Sequence, residues 1–377
     1  MHCYEPLGSL PFYSLDEFRK LELLSNSRFP VHLCQHLETN ERLVVKEAPY
    51  HQDSEKIYSH LCEKPSSSSV VIIRGVALVR SKPKSKRKHD FYHYEPGRHL
   101  DTQKTHNASL LVFMEPCQCN LQQYVEQRLK ERKPFNQEEV TEFLRQILLV
   151  LLELEDNNIS HRDIKPSNIL YDHGRYRLCD FDSAMYLDPL VPLEKREEVD
   201  ITTFAYASPE LFKNLKQRKK KLFDAHKLDV YALGLTLLYV CSVGRFCLKE
   251  RENYLKGELF HNVHTHYIKE QRRKFIKNNE KLKPFNSIVK MMLEGDEYKR
   301  DTFLTLTHKV RTLMVTADPS PPFEKISEHS KSEESLHHKH KQNKHRQSWP
   351  GSTKLQRKSM YSFICLSLLF FVLLFII

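Results

Sequence analysis

The chain has 377 residues, enough for one large domain or two of ordinary size, and its 40% hydrophobic share allows a buried core. Its 59 lysines and arginines exceed its 48 acidic residues, which favours acidic partners or anionic lipid without indicating a fold. The first residues lack the segments of a secretory signal and the cysteines lack zinc-site spacing, so we expect reduced cytosolic thiols.

Strand-like segments come first along the chain. Residues 31–46 contain apolar runs on either side of a polar turn, and residues 70–79 and 109–114 are further apolar strand candidates. A basic insertion, residues 80–108, lies between the last two. We assign residues 1–16 to an N-terminal segment that precedes the domain.

Helical patterns follow the strand candidates. Leucine and isoleucine recur at helical spacing in residues 137–158 and again in residues 228–241. Strands first and helices later indicate an α+β domain over residues 17–315. We expect a small β-rich lobe followed by a larger helical lobe.

Two segments beyond the domain have a different composition. Residues 316–359 are polar and basic without apolar periodicity, which predicts a disordered linker. Residues 360–377 contain no charged residue, and a helix of this length rises about 27 Å, close to the thickness of a bilayer core. We expect a transmembrane tail anchor with the domain on the cytosolic side, in the endoplasmic reticulum or the mitochondrial outer membrane. A buried core helix is the alternative, although the run shows no polar face.

The most regular motif spans residues 161–168 and reads HRDIKPSN. Phosphoryl transfer needs a carboxylate that orients the attacking hydroxyl and accepts its proton, together with groups that hold Mg²⁺ on the phosphates. Asp163 suits the first role and Asn168 the second, while Lys165 can neutralise charge on the transferred group. This is the pattern of a protein-kinase catalytic loop.

Two further motifs follow at the spacing that a kinase requires. Residues 178–182 read LCDFD, and Asp180 resembles a Mg²⁺-binding aspartate. Residues 203–210 read TFAYASPE, in which Glu210 is expected to pair with Arg300. With these motifs the chain resembles the eukaryotic protein kinase family, serine/threonine type. The resemblance implies a two-lobed kinase fold that binds ATP and Mg²⁺, the metal being held by Asn168 and Asp180.

The resemblance also assigns residues to the nucleotide. Lys46, at the end of a predicted strand, is expected to contact the α- and β-phosphates. The glutamate of the helix that follows is expected at Glu55, because apolar residues follow it on a helical path, and Glu63 is the alternative.

Between the lobes, the resemblance makes Met114 the gatekeeper. Glu115 and Cys117 are then expected to present backbone groups to the adenine. Asp229 resembles the buried aspartate that braces the catalytic loop.

The chain departs from the family in two places. No glycine occurs between Gly8 and Gly75, although the family has a glycine-rich loop near residues 24–30, where backbone amides approach the phosphates. We therefore expect weaker ATP binding. Asp182 stands where a glycine normally follows the Asp-Phe pair, which predicts restricted movement of this segment. An active kinase and a pseudokinase that acts as a membrane-anchored scaffold both remain open.

The acceptor class follows from two residues of the resemblance. Lys165 and Thr203 match the serine/threonine-specific pattern, so we expect protein substrates with serine or threonine hydroxyls. Residues 184–201 contain no serine or threonine, so we expect one of their carboxylates to pair with Arg162 in place of a phosphate. The basic runs lack interleaved aromatic residues, which argues against a nucleic-acid partner.

Overall fold

The structure is a computed structural model, and it describes residues 3–6, 13–25, 29–50, 52–63, 70–80, 108–187, 204–211, 224–246 and 260–317. The chain divides into two units, Met1–Ser320 and Pro321–Ile377. The second unit lies wholly outside the described residues.

Several predicted features also lie outside this description. They are the turn at 26–28, the basic insertion at 81–107, the loop at 188–203 that includes Thr203, the linker at 318–359 and the apolar segment at 360–377. Within the ranges that are described, no helix combines the length and the apolar character that crossing a membrane requires.

Six strands form one antiparallel sheet in the first unit. They are β1 (Cys3–Pro6), β2 (Phe18–Ser25), β3 (Val31–His36), β4 (Arg42–Pro49), β5 (Ile73–Arg80) and β6 (Ala108–Met114). Their order in space is β1-β5-β6-β4-β3-β2, and every neighbouring pair is antiparallel. The segment 1–16, which the sequence placed before the domain, therefore contributes β1 to the domain's own sheet.

Strand β6 shows how the sheet separates two apolar clusters. Leu111 and Phe113 belong to a small cluster formed by the sheet itself. Leu110, Val112 and Met114 belong to the main core of the domain. Successive side chains of a strand point to opposite faces, so both faces of this central strand are buried.

A helical lobe follows the sheet. One helix, α1 (Gln52–Glu63), lies between strands β4 and β5 in the chain. The described helices of the helical lobe are α2 (Leu121–Lys130), α3 (Gln137–Asp156), α4 (Ala225–Cys241), α5 (Phe260–Arg272), α6 (Phe285–Met292) and α7 (Phe303–Ala317). Helix α1 lies against β5 of the sheet, and α3 packs on α7. The expected α+β arrangement, with a small β-rich lobe and a larger helical one, is confirmed.

Local sequence explains where two of these helices begin. Asn136 caps α3 by accepting a hydrogen bond from the Glu139 amide, and the Glu139 carboxylate accepts one from the Asn136 amide, each at 2.8 Å. Asp224 caps α4 by accepting hydrogen bonds from two amides of its first turn. Every residue of α4 from Leu228 to Cys241 is buried, which makes it the central helix of this lobe.

Short strands complete the helical lobe. They are β7 (Cys119–Asn120), β8 (Ile159–Ser160), β9 (Ile169–Asp172), β10 (Arg175–Leu178) and β11 (Met185–Tyr186). A two-residue turn joins β9 to β10, and both of its residues, His173 and Gly174, have positive φ, as a tight hairpin requires. Pairing of Leu178 with Ile169 then brings the residues before β9 next to those after β10.

Candidate active site

A buried loop after β8 carries Asp163. Its Oδ2 accepts hydrogen bonds from Lys165 Nζ at 2.7 Å and from Asn168 Nδ2 at 2.9 Å. A short 3₁₀ helix at Pro166–Asn168 turns the chain back toward Asp163, and proline suits the first position of such a turn. Asp163 is 9% exposed and Asn168 only 4%, so the lysine compensates the charge of a carboxylate held away from water.

The side-chain amide of Asn168 has a defined orientation. Its nitrogen donates to the carboxylate and to the backbone carbonyl of Asp163, each at 2.9 Å. An amide nitrogen carries two hydrogens, so both are used and Oδ1 remains as an acceptor. Such an oxygen is a ligand of the kind that Mg²⁺ takes. The structure therefore brings the three predicted catalytic residues together.

The expected brace at Asp229 is confirmed. This buried residue of α4 accepts hydrogen bonds from the Ser160 hydroxyl and from the backbone amides of His161 and Arg162, each at 2.8 Å. Arg162 has a left-handed backbone, with φ of 64°. Three hydrogen bonds to one buried carboxylate hold this unfavourable conformation in place.

The segment after β10 lies beside the loop because of the hairpin. The Cys179 amide donates to the Asn168 carbonyl at 2.9 Å, and His161 Nε2 lies 3.0 Å from the Cys179 carbonyl oxygen. Asp180 then takes a left-handed conformation with φ of 67°. The buried ring of Phe181 packs against His161, with 4.9 Å between ring centres.

Lys46 lies between two carboxylates from this segment. Its Nζ is 2.6 Å from Asp180 Oδ1 and 2.6 Å from Asp182 Oδ2. Burial by itself lowers the pKa of Lys46, but the two carboxylates outweigh it and the pKa lies above the usual lysine value.

The two aspartates differ in their titration. Burial raises the pKa of Asp180, yet the charge of Lys46 outweighs it, and the pKa lies below the usual value. For Asp182, burial and the charge of Asp180 prevail over Lys46, so its pKa is raised.

The expectation for the helix glutamate needs correction. The carboxylate of Glu55 accepts a hydrogen bond from the Tyr50 hydroxyl. Among the described residues, the carboxylates that contact Lys46 are those of Asp180 and Asp182. Tyr58 is the described residue of α1 that contacts this pair of aspartates. Its hydroxyl donates a hydrogen bond to Asp182 Oδ1 at 2.9 Å. Glu63 is the last residue of α1, and its side chain is outside the description.

The three residues predicted to face the adenine lie where β6 leads into the helical lobe. Met114 ends β6 and is 8% exposed. The Glu115 amide donates to the Ile72 carbonyl at 2.9 Å, which ties this connection to the residue before β5. Cys117 is half-buried, and burial raises the pKa of its thiol. Their contact with a nucleotide stays a prediction.

Sequence reasoning missed Tyr58 and gave Asp182 only a backbone role. Tyr58 carries no signal of its own, because a tyrosine between apolar residues of a helix looks like a core residue. Asp182 has no positive φ, since it lies in a 3₁₀ helix at Phe181–Ser183. The backbone at this position therefore does not require glycine, and the Asp182 side chain can contact Lys46 and Tyr58.

The fold and this site define a protein kinase domain. A sequence-family model described as protein kinase domain matches residues 30–310, which is well over half of the chain. The chain therefore belongs to the protein kinase domain family.

Several curated proteins resemble the chain. The eIF-2-alpha kinase GCN2 of Schizosaccharomyces pombe is 32% identical over 147 residues, covering 36% of this chain and 9% of that protein. The serine/threonine-protein kinase Nek1 of Mus musculus is 31% identical over 140 residues, covering 36% and 11%. A relative from Acanthamoeba polyphaga mimivirus is 27% identical over 180 residues, covering 48% and 58%. The chain thus spans less than two thirds of the length of each of these relatives.

Proposed function

We propose that this chain is a serine/threonine protein kinase that transfers the γ-phosphoryl group of ATP to protein hydroxyls. The observation that carries the proposal is the buried Asp163 carboxylate held by Lys165 and Asn168. The backbone of Asn168 is bonded to the segment whose Asp180 contacts Lys46. These are the groups that phosphoryl transfer requires: a carboxylate for the hydroxyl proton, oxygen ligands for Mg²⁺ and cations for the phosphates.

Two of these residues fit Mg²⁺. The lowered pKa of Asp180 keeps its carboxylate ionised at neutral pH, and Asn168 has a side-chain oxygen as its remaining acceptor. Mg²⁺ held there would neutralise negative charge on the phosphates of ATP.

The protein's own side chains then take the following parts. The acceptor hydroxyl gives its proton to Asp163 while its oxygen bonds to the γ-phosphorus and the bond from that phosphorus to ADP breaks. Lys165, 2.7 Å from Asp163, orients this carboxylate and adds positive charge beside the transferred group. Lys46 is the cation for the α- and β-phosphates, as its family position implies.

Serine and threonine as acceptors are supported by Lys165 together with Thr203. The printed names of several relatives, including Nek1 and the mimivirus protein, also describe serine/threonine-protein kinases. Met114, Glu115 and Cys117 would line the adenine side of the site. A pseudokinase scaffold is the second candidate, and the glycine-free turn between β2 and β3 favours it.

The decisive experiment measures phosphate transfer from Mg-ATP to a basic protein by the detergent-solubilised full chain. Asp163→Asn should lower kcat by about 10² to 10⁴-fold, the range for loss of a general base. The matched control is Asp156→Asn, an exposed aspartate at the end of α3. Equal, near-zero signals from wild type and Asp163→Asn would favour the scaffold instead.

We also propose that the kinase acts at a cytosolic membrane face. Residues 360–377 form an apolar run free of charge, and the basic residues before it suit an anionic lipid surface. Imaging of the full chain and of a chain lacking 360–377 tests this. Loss of the membrane signal is expected on deletion, and an unchanged distribution contradicts the proposal. Co-staining separates the endoplasmic reticulum from the mitochondrial outer membrane.

A further inference from the structure

Two carboxylates from one short segment contact Lys46 within the described part of the chain. Asp180 and Asp182 are two residues apart, and each has an oxygen 2.6 Å from the lysine nitrogen. In protein kinases an ion pair between this lysine and a glutamate of the neighbouring helix must form for activity. Here Glu55, the residue expected in that role, accepts a hydrogen bond from Tyr50.

Both oxygens of Asp182 are used. Oδ2 contacts Lys46, and Oδ1 accepts the hydrogen bond of Tyr58 at 2.9 Å. Tyr58 is 2% exposed and packs edge-on against Phe181. Burial and the two aspartates raise its pKa well above the usual value, so it remains a neutral donor at physiological pH. Helix α1 therefore reaches the lysine through a tyrosine and an aspartate.

The two aspartates are suited to different tasks. Asp180 is the candidate Mg²⁺ ligand, and a metal there would compete with Lys46 for its carboxylate. In Asp182, one carboxylate oxygen forms an ion pair with Lys46 and the other accepts a hydrogen bond from Tyr58. The Asp182 side chain is also less exposed than that of Asp180, at 15% against 34%. With a metal at Asp180, Asp182 would still hold the lysine.

We propose that Asp182 is the positioning residue for Lys46, and that Tyr58 holds Asp182 from helix α1 in the role expected of Glu55. This inference rests on the proposed function, because positioning Lys46 matters for binding the phosphates of ATP. It assigns to the family's glycine position a task that a glycine cannot perform.

The test measures KM for Mg-ATP and kcat of the full chain. Asp182→Asn keeps the shape but loses the charge, and it should raise KM about tenfold, as loss of one charge-assisted contact does. Tyr58→Phe removes only the hydroxyl and should raise KM by a smaller factor. Glu55→Gln tests the competing helix residue and should change KM less than twofold. A merely structural role would lower thermal stability in these variants without this selective rise in KM.

A rescue experiment sharpens the assignment. Asp182→Gly alone should bind Mg-ATP weakly, whereas Asp182→Gly combined with Tyr58→Glu returns a carboxylate from the helix side and should regain affinity. If the double variant binds no better than Asp182→Gly and Asp182→Asn matches wild type, the inference is overturned.

Failure of the inference is distinguishable from failure of the proposed function. If wild type transfers no phosphate, the kinase proposal fails, and Mg-ATP binding still measures the effect of Asp182. Should wild type also bind no nucleotide, the test is the rate at which a small amine-reactive ester acylates Lys46, with release of the ester's leaving group. Asp182→Asn should speed this labelling several-fold, because the lysine nitrogen loses one of the two carboxylates that hold it. An unchanged rate contradicts the inference.

Discussion

The guanidinium of Arg300 and the carboxylate of Glu210 form a bidentate ion pair across 90 positions of sequence. The two nitrogen–oxygen distances are 2.7 and 3.0 Å, and the arginine side chain is fully buried. Arg300 also donates to the backbone carbonyls of Lys227 and Glu294. The pair predicted from the sequence is confirmed, and it ties the end of the TFAYASPE segment to the helical lobe.

Loss of one partner should therefore lower the free energy of unfolding of the protein. Glu210→Gln leaves a buried guanidinium without its counter-charge, and we expect about 3–5 kcal/mol of lost stability in urea unfolding. Glu280→Gln is the control, because Glu280 pairs with Lys283 at an exposed site and should change stability by less than about 1 kcal/mol. Similar losses in the two variants would contradict this account of the pair.

The brace at Asp229 offers a second test. An asparagine there would place an amide N–H group against one of the three donors. Asp229→Asn should therefore lower the free energy of unfolding by about 1–3 kcal/mol. It should also lower kcat. The control is Asp224→Asn in the same helix, since asparagine caps a helix as well as aspartate does. A kcat that stays at the wild-type value would show that the loop keeps its shape without the brace.

The charge balance at Lys46 predicts a pH dependence. Lys46→Met leaves Asp180 and Asp182 without their cation, which we expect to cost about 3 kcal/mol at neutral pH, the lower end for a buried pair because Asp180 is 34% exposed. The native pKa of Asp180 is lowered, so its pairing stabilises the wild type above the usual aspartate pKa and this contribution is lost as the pH falls through the native value.

In the variant both carboxylates gain protons readily on acidification. The stability gap between wild type and Lys46→Met should therefore shrink as the pH falls, measured by urea unfolding at several pH values. Lys299→Met, at an exposed pair with Asp296, serves as control. A gap of constant size over this range would argue against the two aspartates as the cause.

Packing between α4 and α6 gives a fourth prediction. A Cβ added at Gly234 would lie 2.8 Å from Leu293 Cδ2 and 2.8 Å from Met292 Cβ, whereas a Cβ at Gly295 meets nothing within 4 Å. Gly234→Ala should cost about 1–3 kcal/mol through overpacking, and Gly295→Ala should be close to neutral. Thermal unfolding of both variants checks this, and an unaltered Gly234→Ala would mean that the two helices can separate at little cost.

Much of the site could be predicted from the sequence because its residues are local. Asp163, Lys165 and Asn168 fall within six positions, so their relation follows from one short motif. The partners of Lys46 lie 134 and 136 positions away, and hydrophobic periodicity in the sequence does not predict contacts over such separations. Glu55 and Tyr58 are three apart on one helix and share a face, so the pattern could not show which of them turns toward Asp182.

The fold shows the same division. The apolar run at 109–114 predicted a strand and the helical spacing at 137–158 predicted a helix, and both elements are present. Strand β1 has only four residues, Cys3–Pro6, and no alternating pattern there predicts a strand. Its place in the sheet depends on backbone hydrogen bonds to β5, which sequence patterns do not encode.

That short strand has a consequence for any shortened form of the chain. Cys3 to Pro6 pair with Arg80 to Ala77 along the outer side of β5. Removing residues 1–6 would leave the backbone amides and carbonyls of β5 unmatched, and an open strand edge is a template on which other chains assemble. In detergent, a shortened protein should therefore self-associate at concentrations where the solubilised full chain stays monodisperse, although its catalytic residues are unchanged.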